Sequence, residues 1–114
     1  MADDHSLLIS GFSKILSSYG IKMIAKTTNP NEVAELYIES KPDVVLTDIK
    51  FGQDITGLDV VKNVIKIDPN AKIVVISQYD QIHNIKEAYS RGAKAFITKG
   101  CDEEHLISAI QSAA

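Results

Sequence analysis

A single cysteine, Cys101, is all the thiol chemistry the chain carries, so an intrachain disulfide is excluded. No signal peptide and no apolar run of membrane-spanning length is present, and the expected location is the cytoplasm, away from any membrane. The 12 basic residues are scattered and the formal net charge is -3, which leaves no dense cationic stripe for direct contact with nucleic acid. The histidines, His5, His83 and His105, are far apart without the spacing of a zinc site and read as exposed. Low-complexity linkers and solenoid-length repeats are also missing. What is present is a 114-residue chain with 45% hydrophobic content, enough for one packed core, so residues 1–114 read as a single domain.

That domain is organised around Val44-Val45-Leu46-Thr47-Asp48, an apolar, β-branched run that stops on a carboxylate. Such a run, bounded by Pro42 and Gly52, reads as a strand covered on both faces, as in parallel sheets. Lys72-Ile73-Val74-Val75-Ile76-Ser77 and Ala95-Phe96-Ile97-Thr98-Lys99 repeat the design, ending on a hydroxyl and a cation. Ile21-Lys22-Met23-Ile24-Ala25-Lys26 largely alternates apolar with polar residues and reads as an edge strand blunted by lysines.

Helices fall between these runs. Leu8, Phe12, Ile15 and Leu16 form one stripe, terminated at Gly20. Asn29-Pro30-Asn31-Glu32 supplies an N-cap, a first-turn proline and a glutamate placed to reach back to the cap, with Val33, Leu36 and Tyr37 as the buried face. Thr56-Gly57-Leu58-Asp59 starts a helix whose Leu58, Val61, Val64 and Ile65 face inward. A further helix spans residues 81–91, with Ile82, Ile85, Ala88 and Tyr89 inside, and stops at Gly92. Asp102-Glu103-Glu104 opens the last helix, whose stripe is Leu106, Ile107, Ile110 and Ala113.

Alternating strands and helices imply an α/β, doubly wound parallel sheet with helices on both faces. All strand carboxyl ends then meet on one rim, the usual binding edge of such sheets. Asp48, Ser77 and Lys99 arrive there, and Asp3 and Asp4 precede the first helix where a short first strand would deliver them too. Carboxylates about 5 Å apart repel by about 3 kcal/mol at an effective dielectric near 20. A hard divalent cation removes that cost, and carboxylates with waters and a carbonyl suit Mg²⁺. An aspartate can also attack phosphorus, and Lys99 and Ser77 would satisfy the added phosphoryl oxygens. No strong general base for fast turnover is evident, so the expected role is phosphoryl acceptance with at most slow self-dephosphorylation, not enzymatic turnover.

With Asp3-Asp4, Thr47-Asp48, Ile76-Ser77 and Thr98-Lys99 in this order, the whole chain resembles the receiver domain of two-component response regulators (CheY-like). Ala2-Asp3-Asp4-His5 further resembles receivers of the LuxR/NarL/FixJ type. The resemblance implies a flavodoxin-like sheet of order 2-1-3-4-5 and a phosphoprotein of a phosphorelay that regulates transcription. It implies that Asp48 accepts phosphate from a sensor histidine kinase, and that Asp4, Asp48 and the Lys50 carbonyl bind Mg²⁺, with Asp3 acting through water. Lys99 would pair with the phosphoryl group, Ser77 and Phe96 would form the switch, and Lys50, Gln78 and Tyr79 would flank the phosphate. Partners implied are the kinase, a second copy on phosphorylation, and a DNA-binding output domain that this chain lacks.

Some positions depart from the pattern. Only Met1 and Ala2 stand where a full first strand is usual, so that strand is expected to be rudimentary or missing through a truncated start; a complete chain would be weakly stable or borrow a strand. Phe51-Gly52 replaces the usual Met-Pro, Gly100 stands where a cis-proline is common, and Gln78 is larger than usual. Two alternatives differ in class: a degenerate, phosphorylation-independent interaction module, against which the retained acids, Ser77 and Lys99 argue, and a Mg²⁺-dependent phosphatase. Haloacid-dehalogenase enzymes would want an aspartate at Lys50, and a flavin phosphate would be repelled by Asp3-Asp4.

Overall fold

The computed structural model describes residues 1–51, 56–78 and 84–114. Its sheet contains three parallel strands, β1 (Val45–Asp48), β2 (Ile73–Ser77) and β3 (Ala95–Thr98), in the order β1-β2-β3. Every residue of β1 and β2 is buried, because helices cover both faces of unbroken apolar runs. The period of two then sorts side chains between layers. Val45, Ile73 and Val75 pack with Val33, Val61, Val64 and Ala88, whereas Leu46, Val74, Ile76 and Ile97 pack with Phe12, Leu16, Leu106 and Ile110.

The first layer holds α2 (Val33–Ser40), α3 (Gly57–Ile67) and α4 (Ile85–Ser90); the second holds α1 (Ser6–Ser18) and α5 (Glu103–Ala113). This is the doubly wound arrangement that alternation of elements implies. Local signals set most helix ends. Gly20 and Gly92 adopt positive φ of 76° and 116°, Asp102 accepts from the His105 amide at 2.8 Å, and the Thr56 amide donates to the Asp59 carboxylate at 2.9 Å.

The first two strands of the 2-1-3-4-5 order survive as single bridging residues. Ala2 pairs in parallel with both Thr27 and Thr47, which sets it between residue 27 and β1. The edge strand expected over residues 21–26 does not form. Lys22, Ile24 and Lys26 are exposed and Ile21, Met23 and Ala25 half-buried, so the alternation is real, and the Met1 ammonium donates to the Ala25 carbonyl at 2.9 Å, but no ladder forms along the segment. A ladder requires a partner as well as a pattern.

Other expectations need correction. Asn29 does cap, accepting from the Asn31 amide at 3.0 Å, but the first turn is a 3₁₀ helix (Pro30–Glu32). Glu32 does not reach back to Asn29; its carboxylate takes the Thr27 hydroxyl at 2.7 Å, a nearer and stronger donor once Thr27 is fixed by Ala2. Of the predicted inner face of the fourth helix, only Ala88 is fully buried, while Ile85 and Tyr89 are exposed and Ile82 lies outside the described residues. The short α4 turns a single small residue inward against the first layer. Ile9 and Val60 are buried although the stripes did not include them.

One close approach decides where α3 sits. The Gly57 amide donates to the Ile49 carbonyl at 2.6 Å, and a Cβ on Gly57 would lie 1.9 Å from the Asp48 carbonyl oxygen. Backbone cannot yield there as a flexible side chain can, so Gly57→Ala forces α3 away from the end of β1. The expected outcome is a melting temperature lowered by about 5 °C or more. Thermal melts of the two proteins check it, and an unchanged midpoint would show that α3 does not depend on this contact.

Candidate functional site

Asp48 closes β1 and is buried, the residue being 2% exposed. Its Oδ1 accepts from the Ile49 amide at 2.8 Å and its Oδ2 from Lys99 Nζ at 3.0 Å. Buried Ile49 and Phe51 anchor the chain immediately beyond it. Backbone pairing delivers the other acid: the Asp48 amide donates to the Ala2 carbonyl at 2.8 Å, and the Asp3 amide to the Thr27 carbonyl at 3.1 Å. Asp3 is fully buried, and its Oδ2 lies 3.2 Å from the same Lys99 ammonium. That oxygen has this ion-pair contact but no hydrogen bond.

Lys99 is itself held by its amide, which donates to the Ser77 carbonyl at 2.8 Å across the β2–β3 pair. Ser77 is fully buried, and its Oγ has no hydrogen-bond partner among the described residues. Leaving such a hydroxyl unpaired costs about 1–3 kcal/mol. Beside it, Asp48 is shifted upward, chiefly because burial penalises the carboxylate; Lys99 opposes that shift and the charge of Asp3 adds to it. For Lys99 burial works downward, but the hydrogen bond and charge of Asp48, with the charge of Asp3, hold its ammonium above the ordinary range.

Asp4 is solvent-exposed and joins the group through His5, whose Nδ1 lies 2.9 Å from Asp4 Oδ1 and 3.1 Å from Asp3 Oδ1. One ligand atom from each of Asp3, Asp4, His5 and Asp48 lies within 4.8 Å of the others. Sequence reasoning treated His5 only as an exposed residue. It is exposed, but the Asp3 carboxylate also accepts the His5 amide at 2.9 Å, and this tight turn folds the ring over the acids. An aspartate two residues before a histidine at a helix start was the available signal.

The remaining predicted positions are dispersed. Lys50 and Gln78 are exposed, and Tyr79 lies outside the described residues. Phe96 is half-buried, packed against the first-layer core. No helix among the described residues is long and apolar enough to cross a membrane.

The donor set fits a hard divalent cation. Two buried carboxylates share one ammonium, a third, that of Asp4, lies close by, and Asp3 retains a buried oxygen without a hydrogen bond. Four possible ligands, three consecutive at residues 3–5 and one at the end of β1, thus gather negative charge in one place.

Residues 1–111 match the family model described as response regulator receiver domain. The chemotaxis protein CheY of Thermotoga maritima is 36% identical over 110 residues, covering 96% of this chain and 91% of that protein. The uncharacterized transcriptional regulatory protein YesN of Bacillus subtilis is 32% identical, covering 97% of this chain, but the chain spans only 30% of its length. Against the oxygen regulatory protein NreC of Staphylococcus haemolyticus, at 28% identity, the chain spans 52% of the length. Among solved structures, the CheX-CheY-BeF3-Mg complex of Borrelia burgdorferi superposes with a TM-score of 0.88 at 26% identity, over 97% of this chain and 84% of that one. A LuxR-family response regulator of Aurantimonas has the same fold, with a TM-score of 0.91 at 24% identity, over 97% of this chain and 79% of that one. The chain belongs to the response regulator receiver domain family.

Proposed function

We propose that this chain is the phospho-accepting switch of a two-component system, with Asp48 as the acceptor. The observation that carries the reading is a single ammonium, Lys99, shared by two buried carboxylates at 3.0 and 3.2 Å beside the unpartnered Ser77 hydroxyl. A carboxylate oxygen of Asp48 forms a bond to phosphorus as the P–N bond of a kinase phosphohistidine breaks, and the departing imidazole keeps the electron pair and takes a proton. Lys99 then turns from Asp48 to the phosphoryl oxygens, and Ser77 gains the acceptor it lacks. Asp4 and Asp48 with the Lys50 carbonyl would hold Mg²⁺, and Asp3 would act through water or through Lys99. When bound, the ion supplies charge neutralisation for phosphoryl transfer.

The output follows from the same geometry. Lys99 is bonded by its amide to Ser77, and Phe96 lies on the same strand against α3 and α4, so a new charge at Asp48 biases the β2–β3 end of the sheet and the surface beside it. A sensor histidine kinase upstream and a DNA-binding output domain or second receiver downstream are the partners this implies, in the cytoplasm. In this reading the chain accepts a phosphoryl group and loses it only slowly, without enzymatic turnover.

Electrostatics give the first test. The folded-state pKa of Asp48 is raised, so its contribution to stability is fully present below the unfolded carboxyl value and lost as pH rises through the folded value. At neutral pH the ionised group is therefore a cost in metal-free protein. Asp48→Asn removes it and is expected to raise the melting temperature in chelator at pH 7 by a few degrees, a gain that shrinks as acid protonates the wild-type carboxyl. An equal or lower midpoint at pH 7 would contradict the burial argument.

Phosphorylation is tested directly. Intact-mass measurement after incubation with Mg²⁺ and acetyl phosphate is expected to show one phosphoryl group on the wild type and none on Asp48→Asn or without Mg²⁺. An adduct that persists in Asp48→Asn would remove Asp48 from the role, and multiple turnover would favour a phosphatase.

A further inference from the structure

His5 contributes no side-chain cap to the helix that it precedes. It stands at the N-cap of α1 with φ -105° and ψ 97°, the extended geometry of such a position, yet its side chain accepts from none of the first-turn amides. Aspartate, asparagine, serine and threonine are favoured there because a short side-chain oxygen reaches those amides. The ring turns instead to the carboxylates before it, although it is 60% exposed and burial does not dictate its place. Nδ1 lies 2.9 Å from Asp4 Oδ1 and 3.1 Å from Asp3 Oδ1, and one N–H cannot point along both lines. Atoms bound side by side to one octahedral ion at about 2.1 Å are themselves about 3.0 Å apart, which is the spacing found. The main chain fixes the arrangement, since the His5 amide donates to Asp3 Oδ1 at 2.9 Å and Asp3 is fully buried. Asp3 also keeps a buried oxygen without a hydrogen bond, and a ligand atom of Asp48 lies within 4.8 Å of those of residues 3–5.

We propose that His5 is a nitrogen ligand of the cation site, and that it turns a set of oxygens suited to Mg²⁺ into one that selects a first-row transition ion. Hard Mg²⁺ gains little from an imidazole, whereas the affinity of mixed nitrogen and oxygen sites rises along the series from Mn²⁺ to Ni²⁺. This preference rests on the cation-binding reading of the acidic cluster and adds to it the class of ion that the cluster takes. A histidine acting only as counter-ion to Asp3 and Asp4 has the opposite consequence, because its removal frees the carboxylates for any cation.

The test is calorimetric titration of the untagged 114-residue protein with Ni²⁺ and with Mg²⁺. Ni²⁺ is expected to bind the wild type about tenfold or more tightly than it binds His5→Ala, while Mg²⁺ affinity changes by less than about threefold. His105→Ala, which removes a histidine remote from the cluster in sequence, should change neither. With Mn²⁺ as the probe, electron spin-echo spectra of the wild type should show coupling to an imidazole nitrogen that shifts on isotopic labelling of histidine, a readout that needs no variant. Equal or tighter Ni²⁺ binding by His5→Ala, an equal loss in His105→Ala, or no histidine coupling would each overturn the proposal, and intact Mg²⁺ binding would then leave the cation site standing. If neither Mg²⁺ nor Ni²⁺ binds in a manner sensitive to Asp48→Asn, the cation site and the role of His5 fall together.

Discussion

Lys99 is the cation on which the rim of the sheet depends. Asp3 and Asp48 carry ligand atoms within 4.8 Å of each other in a buried setting, and two like charges at that range repel by about 3 kcal/mol at an effective dielectric near 20. An ammonium at 3.2 and 3.0 Å offsets that repulsion but leaves the cluster negative, and Asp4 makes it more so. The acids are therefore held close enough to favour a further positive charge. A site balanced in that way responds strongly to any added charge.

The sheet makes such crowding possible. Its strands are covered on both faces, so alternate residues feed two separate cores and nothing polar is needed until the strands end. At the ends the order inverts: Asp48, Ser77 and Lys99 follow apolar runs directly, and the register Asp48↔Ile76 and Ser77↔Thr98 sets them on one rim. Gly57 extends the same economy to α3, whose amino end passes against the Asp48 carbonyl where a side chain would not fit.

Much of this was legible in the chain because the informative signals are local. Unbroken β-branched runs give β1, β2 and β3, and capping residues at Asn29, Thr56 and Asp102 give helix starts. The convergence of Asp3, Asp48 and Lys99 follows once the strands are taken as parallel. What escaped depends on partners distant in sequence. Alternation over residues 21–26 cannot reveal that no ladder forms along them; Glu32 was aimed at its own cap because Thr27 became a donor only through Ala2. The unpartnered state of Ser77 Oγ is likewise a property of its surroundings, and His5 joined the acids through a turn too short for periodicity to register.

The acidic cluster and the bridges of Ala2 are mechanically one unit. Asp3 owes its position to two backbone bonds, its own to Thr27 and that of Asp48 to Ala2. Each such hydrogen bond contributes about 0.5–1.5 kcal/mol net. If residues 1–3 separate from Thr27, Asp3 leaves Lys99, and Lys99 is left to Asp48 alone. Order at the amino end therefore sets how much of the Lys99 charge reaches Asp48, so any interaction that steadies Ala2 between its neighbours also fixes the electrostatic state of the Asp48 carboxyl.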